Sequence, residues 1–423
     1  MKGSRYTLEI EPFAEHAGQN AIDLTHAGDG SGRVFVSTQS GQVYAFGPDG
    51  RSLGVFLDIA SVRDDFVRSD GAFQGLMYVA FHPDYAEPDA RGTGRFYTGH
   101  QVRVDDTTPA YDSKDHGARG DSNVRFVVAE WRVDADNPDR IDPASYRRVL
   151  LINFHTTGSN PHAMGELAFN PFAEPGDADY GNLYIAIGDS NNRNDSGDTD
   201  LRYAQRVDNP FAKMLRIDPL ADGDRPYTIP DDNPFDNEVF ALGLRNAQSY
   251  SFAKDLDDEP VLIAFDMGAA LVEEINLVRL GSNYGWDRFE GTRDYDAARE
   301  LHSPARPPAA QYAHTFPTRV GEDPTGGPAA IIGGLVVSDP DEPLMRGQVL
   351  FADLPRGTFM HASLHEMLDN ENAGRQAPIY IMQARWGEKR GTFADLVGAD
   401  RGDVRFGVGE DATVYLVSKQ TQT

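Results

Sequence analysis

Short apolar runs in the two-residue rhythm of a strand, each broken by a turn and answered by a second run, recur along the whole chain, and this recurrence limits the fold most. The pattern is first seen at 32–46, where GRVFV and QVYAF flank Gln39, Ser40 and Gly41. It returns as QGLMYVAFHPDY (74–85) with RFYTGHQV (95–102), then across 165–187, 239–252 with 260–266, 274–286 and 331–338 with 348–353. The last copy is VRFGVGEDATVYLVS (404–418). A hairpin cannot bury its apolar face alone, so copies at comparable intervals are expected to repeat radially around an axis. A single sandwich of this length would be very large, whereas 42 glycines and 26 prolines supply the punctuation of a propeller. The spacing predicts an all-β chain: a six-bladed β-propeller with long polar inter-strand loops at 103–123, 191–201, 220–237 and 291–326. No linker divides residues 1–423, which predicts one domain. The last strand, 412–419, is expected to share a blade with the N-terminus, because a ring closed that way leaves no free edge.

Charge bounds the partners. Lys and Arg total 39 against 66 Asp and Glu, a formal net charge of −27, so nucleic acid and anionic membranes are repelled. Most of that acid reads as a solubility coat of the kind that suits salty surroundings. No run approaches the roughly 20 apolar residues of a membrane-spanning helix, which predicts no membrane insertion. The absence of cysteine removes disulfides and thiolate metal sites. The N-terminal stretch MKGSRYTLEI lacks the apolar core of a secretory signal, compatible with a cytoplasmic chain or a mature secreted form.

The chemistry-bearing stretch is 160–195, NPHAMGELAFNPF followed by GNLYIAIGDSNNRND. His162 stands at the entrance of one apolar run, and Asp189 ends the next. If the two strands are neighbours, imidazole and carboxylate meet at one rim. There a neutral imidazole can take a proton while the carboxylate fixes its tautomer. Two plainer readings stand beside this one: a strand-end histidine that satisfies a backbone carbonyl, and an aspartate that caps its own turn.

Ordered along the chain are GLMYVAFHPDY (75–85), HAMGELAF (162–169), LYIAIGD (183–189), KMLRIDP (213–219), YTIPDDNPF (227–235), ALGLRNAQ (241–248), EEINLV (273–278) and GSNYGWDRFEG (281–291). IGGLVV (332–337) and FGVGEDATVYLV (406–417) follow. Together these motifs resemble the glucose/sorbosone dehydrogenase family, the soluble aldose dehydrogenases that use pyrroloquinoline quinone (PQQ) and their hedgehog-interacting-protein-like relatives. The resemblance implies a site at one propeller mouth where His162 is the catalytic base and Asp189 its partner. Arg245 and Asn246, with Gln248 beside them, would bind quinone and substrate oxygens. The implied reaction removes the proton of a sugar's anomeric hydroxyl while hydride passes to the quinone, with an external electron acceptor completing the cycle. It also implies calcium, with Gly268 and Ala269 offering it backbone carbonyls, and a periplasmic or secreted location. The acid-rich loop 191–200 is either a second calcium site or a solvated loop. NYGW (283–286) reads as a blade-packing turn rather than a ligand platform.

Departures from the family pattern bear on the cofactor. Pro355 stands where quinone-using members place a lysine, Asp400 and Gly402 flank Arg401 where two arginines are expected, and Glu166 replaces an arginine. PQQ carries three carboxyl groups, and burying it without paired cations costs several kcal/mol. Arg385, Lys389, Arg390 and Arg401 are the cations available in the C-terminal part to substitute. Two functions are therefore carried forward: a PQQ- and calcium-dependent sugar dehydrogenase, and a quinone-free propeller that binds carbohydrate or acts as a metal-assisted hydrolase or lyase. In the second, His82, His100, His155, His302 and His314 are the imidazoles from which a metal site can be built, although no metal-binding spacing supports one.

Overall fold

The computed structural model describes residues 1–14, 20–69, 74–103, 124–154, 162–190, 203–255, 257–317, 329–339, 342–371 and 373–419. Among them are five sheets of four or more strands, antiparallel but for one pairing in the fifth. The first runs Ala21–His26, Val34–Thr38, Gln42–Phe46 and Ser52–Asp58, and the second Leu76–Phe81, Arg95–Val102, Val124–Asp134 and Asn137–Phe154. The third holds Met164–Phe169, Leu183–Ile187, Lys213–Ile217 and Val239–Leu242, and the fourth Ala247–Lys254, Pro260–Asp266, Val272–Val278 and Ala310–Ala313. The fifth is built on Ile331–Val336, Gln348–Asp353, Thr358–Ser363 and Tyr380–Trp386. Each sheet lies between two others, so strands such as Leu76–Phe81 and Leu183–Ile187 are buried along their whole length rather than on alternate residues. Phe35, Phe56, Phe81 and Phe96 meet ring to ring between the first two blades, with centroids 4.7 to 6.2 Å apart.

The fold is an all-β propeller, as the hairpin recurrence predicts, but the described residues form five blades rather than six. The final copy of the pattern forms only the hairpin Val404–Val408 with Val414–Ser418. Its first strand is wedged between the innermost strands of the first and fifth blades, Ala21–His26 and Ile331–Val336, and so closes the ring. The N-terminal strand Lys2–Glu9, expected beside 412–419, pairs in parallel with Tyr380–Trp386 at the edge of the fifth sheet. The N-terminal strand thus covers an edge of the fifth sheet, while the C-terminal hairpin fills the ring between the first and fifth blades without pairing to either.

Two further boundaries differ from the sequence pattern. The apolar stretch 239–252 is two strands of two blades, split where Gly243 takes a φ of +77° and the chain crosses from the third blade to the fourth. The long polar stretch 291–326 contributes Ala310–Ala313, the outer strand of the fourth blade. Residues 104–123, the acid-rich loop 191–200 and His155 lie outside the described residues. Among the described residues no helix is long and apolar enough to cross a membrane.

This topology creates one functional rim. The innermost strands run in a common direction, so their starts lie together with the ends of the second strands. Residues 162–163, 245–246 and 403 precede innermost strands, while 188–189, 267–268 and 354–357 follow second strands.

Candidate active site

His162, at the start of the third blade's innermost strand, is buried, and its Nδ1 lies 2.7 Å from Asp189 Oδ1. The pairing follows from the ladder. Met164 faces Ile187, and the Gly188 N–H donates to Ala163 O at 2.8 Å, so the residues just beyond each strand end are forced together. Only glycine fits at 188, where a Cβ would stand 2.6 Å from the carbonyl oxygen of His162. Asp189 is held from three more sides. Its N–H donates to Arg245 O at 2.8 Å, its Oδ2 accepts Trp286 Nε1–H at 3.0 Å, and Arg245 Nε lies 4.0 Å from the same oxygen. This carboxylate does more than cap a turn.

Arg245, Asn246 and Gln248 lie between the third and fourth blades. Asp266 accepts the backbone N–H groups of Arg245 (2.8 Å) and Asn246 (2.6 Å) on its two oxygens, fixing the crossing. The Arg245 guanidinium lies 5.3 Å from the Trp286 ring centroid and donates from Nη1 to the carbonyls of Met267 and Gly268 at 2.8 and 2.7 Å. Gln248 Nε2 donates to Asn246 Oδ1 at 2.8 Å. Burial, outweighing these N–H donors and the nearby arginine, raises the Asp266 carboxyl above its ordinary range.

Three contributors escape the sequence reading. Trp286, assigned there to blade packing, donates to Asp189; its neighbour Tyr284 is the packing residue, donating to Leu277 O at 2.7 Å. Glu290 Oε1 accepts the N–H groups of Ala269, Ala270, Leu271 and Val272 at 2.8, 2.9, 2.7 and 3.1 Å, winding the loop that carries Gly268 and Ala269. Lys213, fully buried, donates to the carbonyls of Tyr203, Ala204 and Phe211 at 2.8, 3.0 and 2.6 Å. Burial pulls its amine well below the ordinary value. The only sequence signal for these three is that each lies inside a family motif.

The glucose/sorbosone dehydrogenase profile matches residues 19–366. The chain belongs to that family. HIPL1 protein of Arabidopsis thaliana is 28% identical over 378 residues, 77% of this chain and 50% of the relative. The chain thus spans about half the length of the curated relatives it matches first. Among solved structures, the PQQ-bound aldose sugar dehydrogenase of Streptomyces coelicolor aligns over all of this chain and 93% of its own, with a TM-score of 0.58 at 19% identity. The apo-form of the soluble aldose sugar dehydrogenase of Escherichia coli aligns over 97% and 96%, with a TM-score of 0.59 at 17% identity. At such identities the likeness is one of fold.

Three of the remaining residues named for the cofactor hold other partners. Arg385 pairs with Glu9 at 2.5 Å on the outer edge of the fifth blade, and Lys389 donates to Leu396 O at 2.8 Å. Arg401 pairs with Asp403 at 3.1 Å. The space beside Gly402 is closed, since a Cβ there would stand 2.6 Å from Gly357 Cα. Arg356 presents both terminal nitrogens buried and without a hydrogen-bond partner, its guanidinium 4.5 Å from the Phe316 ring centroid. Glu166, standing for an arginine, is pushed up to about 8 by burial, with Asp23 adding to the rise and only the Tyr250 N–H opposing it. Among the described residues, the C-terminal cations Arg385, Lys389 and Arg401 each hold another partner and Arg356 does not, and one guanidinium against three carboxylates does not fit PQQ as the family pattern holds it. His82 and His100 lie in the second blade and His314 beside Glu273 at 2.7 Å; among the described residues no three His, Asp or Glu side chains form a metal-binding group.

Proposed function

We propose that the propeller mouth binds a carbohydrate and that His162, oriented by Asp189, takes the proton from one of its hydroxyls. The observation that carries this reading is the partly buried chain from Trp286 Nε1 through Asp189 to His162 Nδ1, at 3.0 and 2.7 Å. With Nδ1–H held by the carboxylate, Nε2 is the accepting nitrogen, the tautomer a base needs. Arg245, above Trp286 and near Asp189, provides positive charge beside an oxygen that becomes anionic as its proton leaves. Hydride from the same carbon completes an oxidation only if an acceptor takes it; the side chains described here supply the proton half of that reaction. Family membership supports sugar oxidation, one domain over 1–423, an external electron acceptor and a periplasmic or secreted location.

The finer reading is a PQQ- and calcium-dependent aldose dehydrogenase, which the aldose sugar dehydrogenase fold supports. The charge inventory favours the second reading, a quinone-free carbohydrate-binding propeller, because Pro355, Asp400 and the closed space at Gly402 replace the clamp. Dye reduction with a panel of aldoses and oligosaccharides, with and without added PQQ, separates them. Sugar-dependent reduction that is lost in His162→Ala supports the oxidoreductase. Sugar binding by calorimetry with no turnover under any condition leaves the binding protein.

A further inference from the structure

We propose that residues 287–299 form a second sugar subsite beside His162, with Tyr295 as its stacking platform and Asp287 and Arg299 as its hydroxyl partners, so that the mouth selects an oligosaccharide over a single sugar. The inference rests on the proposed function, since it takes carbohydrate to be seated at the mouth, and it adds where the next ring lies.

The chain after Trp286 leaves the fourth blade and returns to it through a fixed neck. Asn283 Nδ2 donates to Gln205 Oε1 and to Ser303 O, both at 2.8 Å. Gln205 Nε2 donates to Trp286 O at 2.6 Å, and its Oε1 accepts the His302 N–H at 2.9 Å. Within the excursion Phe289 pairs with Asp294, and the Tyr295 N–H donates to Arg288 O at 3.0 Å. Tyr295 is thus presented by a loop bonded to itself and to the core, so little ordering entropy is left to lose when a ligand meets it.

What the loop presents is suited to a sugar ring. The Tyr295 ring centroid lies 4.8 Å from that of Trp286, the indole that donates to Asp189. Tyr295 is nevertheless 38% exposed, and of the large apolar side chains exposed among the described residues it is the one in ring contact with the site. Asp287, the residue after the indole, has Oδ2 3.2 Å from Arg299 Nε, and both side chains are partly accessible. Burial lifts the Asp287 carboxyl above its ordinary range against the pull of Arg299, and the charge of Asp189 adds to the rise, so this pair and the base share one electrostatic environment.

A pyranose has an apolar C–H face and a rim of hydroxyls. The face packs on an aromatic ring, while a planar guanidinium beside a carboxylate offers donors and acceptors to neighbouring hydroxyls. His162, Asp189, Trp286 and Tyr295 follow one another in contact, so the rim leads from the base to the platform. A sugar with a hydroxyl at His162 therefore directs its neighbouring ring along that line.

The test is calorimetric titration with glucose, cellobiose, cellotriose, maltose and maltotriose. In the wild type a disaccharide or trisaccharide is expected to bind about tenfold more tightly than glucose, the gain from covering one more ring. Tyr295→Ala should lose that preference, so that its affinities for monomer and oligomer converge, and Tyr295→Phe should keep it. Arg299→Gln, which leaves the ring contact in place, should narrow the preference and serves as the second variant if Tyr295→Ala fails to fold. Equal affinity of the wild type for monomer and oligomer overturns the subsite while leaving carbohydrate at His162. So does a loss in Tyr295→Ala that weakens both by the same factor, the mark of a residue that only supports Trp286. No heat with any of the five sugars overturns the subsite and the carbohydrate reading together.

Discussion

The sector between the third and fourth blades and the sector formed by the fifth blade and the terminal hairpin treat their charges in opposite ways. In the first, polar side chains turn inward and converge: His162, Asp189, Trp286, Arg245, Asp266 and Glu290 form one connected set at the rim. In the second, Arg385, Lys389 and Arg401 are tied to Glu9, Leu396 O and Asp403, and the loops of Gly357 and Gly402 close on each other. Scaffold and reactive group are separable properties of a propeller, because each blade carries its own sheet and contributes only its rim residues to the shared mouth. One sector brings a histidine and a carboxylate together at the rim, while in the other Arg385, Lys389 and Arg401 each already hold a partner.

The largest effect expected from this contrast is on turnover. His162→Ala should lower kcat about a hundredfold to ten-thousandfold, the usual worth of a positioned base, with little change in thermal midpoint. Asp189→Asn keeps the shape but can present an N–H to the imidazole, so it should lower kcat and displace the pH–rate profile. Steady-state rates between pH 5 and 9 check both, and full activity in His162→Ala would remove the base from this sector.

Next in size is an effect on stability. Lys213 is fully buried and its amine is the donor for three carbonyls. Lys213→Met fills similar volume but leaves those carbonyls without it, a loss of about 2–4 kcal/mol by denaturant unfolding. A neutral outcome would mean that water takes the place of the amine and that this part of the rim is looser than its hydrogen bonds indicate.

How much of this was legible in the chain differs between the two sectors for physical reasons. His162 and Asp189 were readable because their strands pair with each other, so sequence order places them together. Trp286 was not, because its bond to Asp189 joins two blades across 97 residues of sequence, and no local pattern encodes such a meeting. Glu290 was hidden in the same way: its partners are backbone N–H groups, which carry no side-chain signature. The blade count failed at the terminal hairpin, whose alternation is the same whether two further strands join it or not. The outer strands Val124–Asp134 and Asn137–Phe154 were missed because the second begins with an exposed, charged half that reads as loop. Arg385, Lys389 and Arg401 were named for their charge, and charge does not say what a side chain already holds.

A smaller effect separates the sectors by pH. Glu166 is raised from 4.5 to about 8, by burial first, so the folded chain keeps a proton there that the unfolded chain releases. Its contribution is therefore fully present below about pH 4.5 and is lost as pH rises through about 8. Glu166→Gln keeps an acceptor for the Tyr250 N–H without the charge. It should gain on the wild type by about 1–3 kcal/mol between pH 5 and pH 9, a figure reduced because part of the side chain meets solvent. A difference between the two proteins that stays constant with pH would show that Glu166 ionises normally.

The smallest expected effects lie in the fifth sector, where they are most informative about the cofactor. Arg385 and Glu9 are both substantially exposed, with side chains 38% and 58% accessible, and exposed ion pairs contribute about 0–1 kcal/mol. Arg401 is half exposed and bound to Asp403 two residues away. Arg385→Ala and Arg401→Ala should therefore shift the midpoint little and leave sugar turnover unchanged, because neither guanidinium is part of the set around His162. Titration of each variant with PQQ extends the test to the cation supply. If these arginines stay with their partners, quinone affinity is equal in wild type and variants. If PQQ binds the wild type tightly, weakens with added salt and is lost on removing either arginine, the ion pairs reopen on binding. The fifth sector would then be a clamp held closed rather than a clamp discarded.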